Sequence, residues 1–389
     1  MKKIIFLLIN IQLCIIFSAT AWALDASDIQ IGGYVSQGYL QTDHNNYLAD
    51  TKRGSFEFNE MGINFQTHPA EKTMVGIQIS ARDLGEVEND QVNVSWAFGE
   101  YVWREWLGVR AGIIKIPYGL YNDTRDYDML RTSILLPSSV YNEWLRDSFN
   151  NMKGIQFFGN VMLGMGGLLK YQIQGGDSPT STDSGTALYI KNASSSVASV
   201  DGLENDKVYN ANLIWVTPLE GLRLGYNYFY AAEGLQYVTL TNNAAAIIKN
   251  EDAQSNIISI EYLYRDLQLA AEYLTQEVKS KTSIPSLGIY NPSSKIKGGD
   301  RYYVRGSYRF TDWFETGLYY SMFESNKDVS SDANELEDIC LSLRFDINES
   351  WIAKTEIHKM TGLYGVFPED DGSLDKDWML YAAKLSYYF

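Results

Sequence analysis

The chain has 389 residues, a formal net charge of −16 and 14% aromatic residues, with 28 tyrosines and 9 tryptophans. The acidic balance argues against a nucleic-acid partner and fits hydrated loops on an exported protein. Of two cysteines only Cys340 lies beyond the N-terminal leader, which excludes an intrachain disulfide in the mature chain.

The leader is read first. Lys2 and Lys3 precede an apolar run from Ile4 to Ala19, and Ala21-Trp22-Ala23 places small residues where a signal peptidase reads them. This is the secretory-signal pattern, with cleavage expected after Ala23. The run is shorter than the ~20 residues of a spanning helix. Residues 24–389 hold no other long apolar run and no internal boundary, and are read as a single unit.

The pattern that follows is alternation of apolar and polar residues. It predicts an all-β fold, a transmembrane antiparallel β-barrel of about sixteen strands with short periplasmic turns and long external loops. The strands fall near 29–42, 54–67, 73–83, 92–102, 106–114, 152–159, 167–174, 208–217, 221–230, 255–264, 267–277, 301–310, 314–323, 338–346, 351–360 and 378–389. The clearest pair sets Ile258, Ile260, Tyr262 and Tyr264 against Ser259 and Glu261, turns at Arg265-Asp266, and returns with Leu267, Leu269, Ala271 and Tyr273 against Gln268 and Glu272. All 8 prolines fall between these segments, as a hydrogen-bonded ladder requires. Trp103, Trp106, Trp215, Trp313 and Trp351 flank the short turns, which suits an aromatic girdle at one membrane interface. Long connections lie near 115–151, 175–207, 231–254 and 278–300. The chain ends flush on a strand at Phe389. That ending resembles the signal read by bacterial barrel-assembly machinery, which makes Phe389 a candidate assembly residue and that machinery an expected partner.

With the apolar face toward lipid, the other face lines the lumen. Inward basic residues are then Arg82, Arg110, Lys170, Arg223, Arg305, Arg309, Arg344, Lys354 and Lys384, against the acids Glu60, Glu261, Glu272, Glu315 and Glu356. The wall leans basic, and the excess acid sits in external loops such as Glu369-Asp370-Asp371. Weak anion preference is the expectation, unless loop carboxylates neutralise the wall. The connection 115–151 is aromatic, apolar and charged with both signs: Lys115, Arg125, Arg131 and Arg146 accompany Asp123, Asp126, Asp128, Glu143 and Asp147. These nine residues either make a transverse field at a pore constriction or pair with one another and the wall to hold the loop.

The place of this connection after the fifth strand resembles the third loop of sixteen-stranded Gram-negative outer-membrane porins. Pro117-Tyr118-Gly119 is similar to the Pro-aromatic-Gly turn of phosphate-selective and related substrate-specific porins. The similarity covers this loop; elsewhere it is one of architecture, and no lysine cluster carries over a phosphate site. The resemblance implies an inward-folding constriction and a homotrimer in contact with outer-membrane lipid and lipopolysaccharide, passing small polar or anionic solutes. A substrate-specific channel for phosphate, an organic acid or a sugar, and a structural or adhesive barrel without an open pore, remain the alternatives. An enzyme is not expected: His44, His68 and His358 have no catalytic neighbours in sequence, and no Cys/His metal spacing or phosphate-binding glycine loop occurs. No cofactor or metal is expected.

Overall fold

The computed structural model describes residues 26–389 except 86, 193, 206 and 369–371. The expected signal at 1–23 and the acidic run Glu369-Asp370-Asp371 lie outside the described residues.

Alternation produces strands because successive side chains point to opposite faces of a sheet. Sixteen strands close into one antiparallel barrel. They are β1 (Gln30–Thr42), β2 (Asn59–Thr67), β3 (Thr73–Asp83), β4 (Gln91–Arg104), β5 (Leu107–Lys115), β6 (Asn151–Met162), β7 (Leu168–Asp177) and β8 (Lys207–Val216). The second half comprises β9 (Leu222–Leu240), β10 (Ala245–Tyr264), β11 (Leu267–Ile284), β12 (Arg301–Thr311), β13 (Phe314–Glu324), β14 (Glu335–Asp346), β15 (Trp351–Gly362) and β16 (Asp377–Tyr388). Each pairs with its neighbour in the chain. The ring closes where β1 meets β16, from Tyr34 opposite Tyr388 to Thr42 opposite Leu380. Beyond that register Gly33 and Phe389 exchange backbone hydrogen bonds, each of 3.1 Å.

The outer face is apolar on every side: Val35, Ile63, Val75, Phe157, Ile173, Ile258, Val304, Leu318, Leu341, Ile357 and Leu385 are all exposed. An apolar surface this continuous has no place in water, and marks a wall that faces lipid. Trp103, Trp106, Trp215, Trp313 and Trp351 are exposed on the same wall beside the short turns.

Three strands depart from the sequence reading. The stretches 231–254 and 278–300, taken as loops, largely continue the ladder: β9, β10 and β11 run 19, 20 and 18 residues. A membrane crossing takes only about 9–11 residues, so the outer halves of these strands stand beyond the lipid. With no lipid to select one apolar face, charged residues enter these segments and pair across the strands. Glu251 pairs with Lys279 and Lys281, and Glu277 with Lys295. The stretch 175–207 holds a helix, Gly185–Asn192, and a strand, Val197–Glu204, that adds to the outer end of β9.

Closure predicts a role for the last residue. Removing Phe389 takes away both hydrogen bonds to Gly33, and the fraction of protein that runs as a compact barrel on an unheated gel should fall while secondary structure in the remaining barrel is unchanged.

Candidate functional site: a lumen crossed by one long connection

The chain between β5 and β6 turns into the barrel. Pro117 has no N–H to continue the ladder. Gly119 follows at φ +66°, and a Cβ there would lie 2.6 Å from the Tyr141 hydroxyl oxygen and 2.8 Å from Glu272 Oε1. Only glycine fits that approach. The entry is fixed on the wall: the Asn227 side chain donates to the Pro117 carbonyl, and the Leu120 N–H donates to Glu272 (3.0 Å). Glu272 also accepts the hydroxyls of Tyr141 and, at 2.8 Å, Tyr303.

A second anchor lies across the lumen. Glu356 of β15 accepts the N–H groups of Ile134 (2.7 Å) and Leu135 (3.0 Å). Lys354 donates to the Asp128 carbonyl (2.6 Å), and Arg344 to that of Met129 (2.6 Å). The third anchor is an ion-pair hub at the start of the short helix Arg146–Asn150. Arg146 meets Glu60 at 3.0 Å, Asp126 at 2.8 Å and Glu143 at 3.7 Å. Around it Lys115 pairs with Asp126 (2.5 Å), Arg125 with Glu143 (2.7 Å), Arg82 with Glu143 (2.6 Å) and Lys384 with Glu60 (2.6 Å). Arg131 pairs with Asp128 (3.3 Å). The connection thus bonds to β2, β3, β9, β10, β11 and β13–β16, and Arg305 of β12 lies 5.1 Å over the Tyr121 ring.

Two of the nine loop charges stand apart. Asp123 is half-buried with its Oδ1 atom shielded and unbonded, and Asp147 takes only a 3.2 Å hydrogen bond from the Gly185 N–H. The electrostatics separate these groups. Burial disfavours the charged form of Asp126, but Lys115 and Arg146 together outweigh it and hold the carboxyl at about 2. Lys354, Lys384 and Arg131 do the same for Asp128, also at about 2. At Asp147 burial is reinforced by the nearby Glu88, and the carboxyl is pushed up to about 6.

The wall residues divide by depth. Arg82, Arg305, Lys354 and Lys384 are buried under the connection and serve as its anchors. Arg110, Lys170, Arg223 and Arg309 lie toward the short turns, where the lumen is open to water. Three inward acids escaped the sequence reading: Glu100 on Arg110 (2.5 Å), Asp346 on Arg309 (2.6 Å) and Asp338 on His358 (3.0 Å). Glu100 was missed because β4 carries a bulge opposite Gln78 and Ile79, which reverses the parity of the residues after it. Nor is the inner face uniformly polar. Ile257, Leu274, Tyr303, Met360 and Leu380 point inward and pack in two clusters with Tyr141, Ile134 and Leu135 of the connection. His358 is fully buried between β14 and β15.

No protein-family model and no curated sequence matches the chain. Solved structures match its fold. The anion-selective porin of Comamonas acidovorans aligns at TM-score 0.56 and 12% identity, over 93% of this chain and 99% of that one. OmpF of Salmonella typhi, in complex with daunomycin, aligns at 0.56 and 14%, over 93% and 97%. OmpT of Vibrio cholerae in its trimer form aligns at 0.53 and 10%, over 93% and 99%. The chain has the fold of the sixteen-stranded outer-membrane porins, and its continuous apolar outer wall is that of a barrel set in a membrane.

The ion pairs set two expectations. Arg146→Ala leaves Glu60, Asp126 and Glu143 facing one another and should destabilise the barrel by about 3–5 kcal/mol, read as a lower urea midpoint. The depressed carboxyls of Asp126 and Asp128 contribute stability above about pH 4 that is lost as pH falls through about 2. Asp147 has the opposite sign: its raised carboxyl costs stability as pH rises from about 4, and the cost is complete above about 6. Asp147→Asn should therefore raise the urea midpoint at pH 8 and leave it unchanged at pH 3.5.

Proposed function

We propose that this protein is an outer-membrane diffusion channel for small polar solutes, with a weak preference for anions and with the 116–150 connection as its constriction. The observation that supports the preference is an asymmetry in the ion pairs of the turn-side lumen. Side-chain exposure is 25% for Arg110 against 13% for Glu100, 38% for Arg223 against 0% for Glu261, and 30% for Arg309 against 12% for Glu315. In each pair the cation faces the water and the carboxylate is withdrawn into the wall. Lys170 adds an exposed cation to the same region. A solute entering there meets guanidinium and ammonium groups first, while pairing keeps the net field small. The low-dielectric wall strengthens what field remains.

The breadth of the anchorage favours a second reading, in which the barrel stays shut until the connection is displaced. The side of the lumen the connection leaves least bonded is that of β4–β8. A polar cavity of about 290 Å³ lies at the edge of that side, bordered by Ser80, Arg82, Asn93, Ser95, Arg146 and Asp147. A homotrimer, outer-membrane lipid and lipopolysaccharide contacts, and recognition of Phe389 by barrel-assembly machinery belong to the same proposal. The Vibrio cholerae barrel in trimer form supports the first of these through shared fold alone.

Planar-bilayer recording tests both readings. Discrete conductance steps are expected, with a reversal potential displaced toward the anion side in a KCl gradient. The double change Lys170→Glu and Arg223→Glu should move it toward cations. The effect should fade toward 1 M salt, where the screening length is about 3 Å. A cation-selective wild-type channel overturns the anion preference. Absence of steps in the wild type, with steps appearing in Arg146→Ala, supports the shut barrel instead.

A further inference from the structure

One cluster of side chains shares Glu356 with the second anchor, but its chemistry is of a different kind. Cys340 of β14 stands directly opposite His358 of β15, and Ser342 directly opposite Glu356. All four point inward and are buried. The His358 Nε2 atom lies 3.3 Å from Glu356 Oε2 and 3.7 Å from Cys340 Sγ. The three ligand atoms all fall within 4.8 Å of one another.

The other ring nitrogen decides what Nε2 offers. Nδ1 lies 3.0 Å from Asp338 Oδ1, and the Asp338 carboxylate is itself held by the Tyr319 hydroxyl at 2.6 Å. A carboxylate at that place takes the Nδ1 proton as its donor, which leaves the Nε2 lone pair directed at Cys340 and Glu356. Carboxylate–histidine pairs of this form orient the imidazole of metal sites. Glu356 keeps room for such a partner. A carboxylate has about four acceptor positions. Ile134, Leu135 and Ser342 occupy three, and the remaining one, on Oε2, faces His358. The Ser342 hydroxyl oxygen also lies 3.4 Å from Cys340 Sγ.

The two separations from His358 Nε2 match those of one cation. Tetrahedral zinc with bonds of about 2.1 Å to nitrogen and oxygen and about 2.3 Å to sulfur separates N from O by about 3.4 Å and N from S by about 3.6 Å. The observed separations are 3.3 Å and 3.7 Å. Charge points the same way: among the described residues, the only ion-pair partner of Asp338 and of Glu356 is His358. With His358 neutral and the thiol protonated, the two buried carboxylates leave two negative charges uncompensated; a dication that displaces the thiol proton reduces this to one. The donor set of sulfur, imidazole nitrogen and a single carboxylate oxygen selects a borderline-soft ion over magnesium or calcium.

We propose that Cys340, His358 and Glu356 form a binding site for a divalent cation of the zinc class, with Asp338 orienting His358. Binding exchanges the Cys340 thiol proton for the metal, and the proton leaves to solvent. Because Glu356 also holds the Ile134 and Leu135 N–H groups, the ion would sit directly under the constriction loop.

Cobalt(II) is the probe, added to the folded barrel in detergent and, separately, present while urea-unfolded chain refolds into detergent, so that slow entry beneath the loop cannot hide the site. One equivalent should bind with a thiolate-to-cobalt charge-transfer band. Cys340→Ser should abolish the band, His358→Ala should abolish binding, and Asp338→Asn should weaken it about 10–100-fold while the band persists. Zinc should displace cobalt and protect Cys340 from a maleimide. Unheated gel mobility checks that each variant has closed. No charge-transfer band in either wild-type arm overturns the proposal, as does a band that survives both Cys340→Ser and His358→Ala in closed barrels.

Discussion

Hydrocarbon offers no hydrogen bonds, and this one constraint organises the molecule. Every backbone N–H and C=O within the membrane must find a partner in the protein, at several kilocalories per mole for each failure. A sheet meets that demand only by closing on itself, and the junction of β1 with β16 is where it does so. Closure then divides every strand into a face that meets lipid and a face that meets the lumen. The outward residues become apolar because lipid selects them. The inward residues are released to carry charge, and the 116–150 connection uses that freedom.

Charges inside the barrel are costly in their own way. Taking an arginine or a carboxylate out of water is unfavourable unless geometry and hydrogen bonds compensate. The hub at Arg146 answers this by sharing: one guanidinium serves Glu60, Asp126 and Glu143, and each carboxylate has a second cation in Lys384, Lys115 or Arg82. Such a network adds little net stability over an apolar plug, but leaving any one member unpaired is costly. Hydrophobic contacts supply the complement: Ile134, Leu135 and Tyr141 pack against inward-facing apolar residues such as Leu380 and Tyr303. Asp147 is the exception, a carboxyl with neither cation nor water enough, and its upward shift follows.

How much of this could be read from the chain depends on which surface wrote the pattern. All sixteen strands are legible because lipid imposes a strict period of two on residues such as Ile258, Ile260 and Tyr262. Where lipid ends the signal ends too, and Asn250, Glu251 and Asp252 resemble a loop although they sit in β10. Parity fails where a single extra residue intrudes, as with Glu100 beyond the bulge of β4. The nine loop charges and most wall cations could be named from periodicity, but not their pairing, because partners such as Ile134 and Glu356 meet only through closure. The Cys340–His358 contact is hidden for the same reason: its members are neighbours across a ladder, a relation that no spacing along one strand encodes.

The long strands β9–β11 give the barrel an uneven rim. About ten residues beyond the membrane span, at about 3.3 Å each and inclined near 45°, raise that side by roughly 20 Å. The mouth therefore has a tall back and low shoulders, and it opens sideways rather than straight up. Anything approaching from the β9–β11 side meets an upright sheet, whereas the strands on the opposite side end near the membrane.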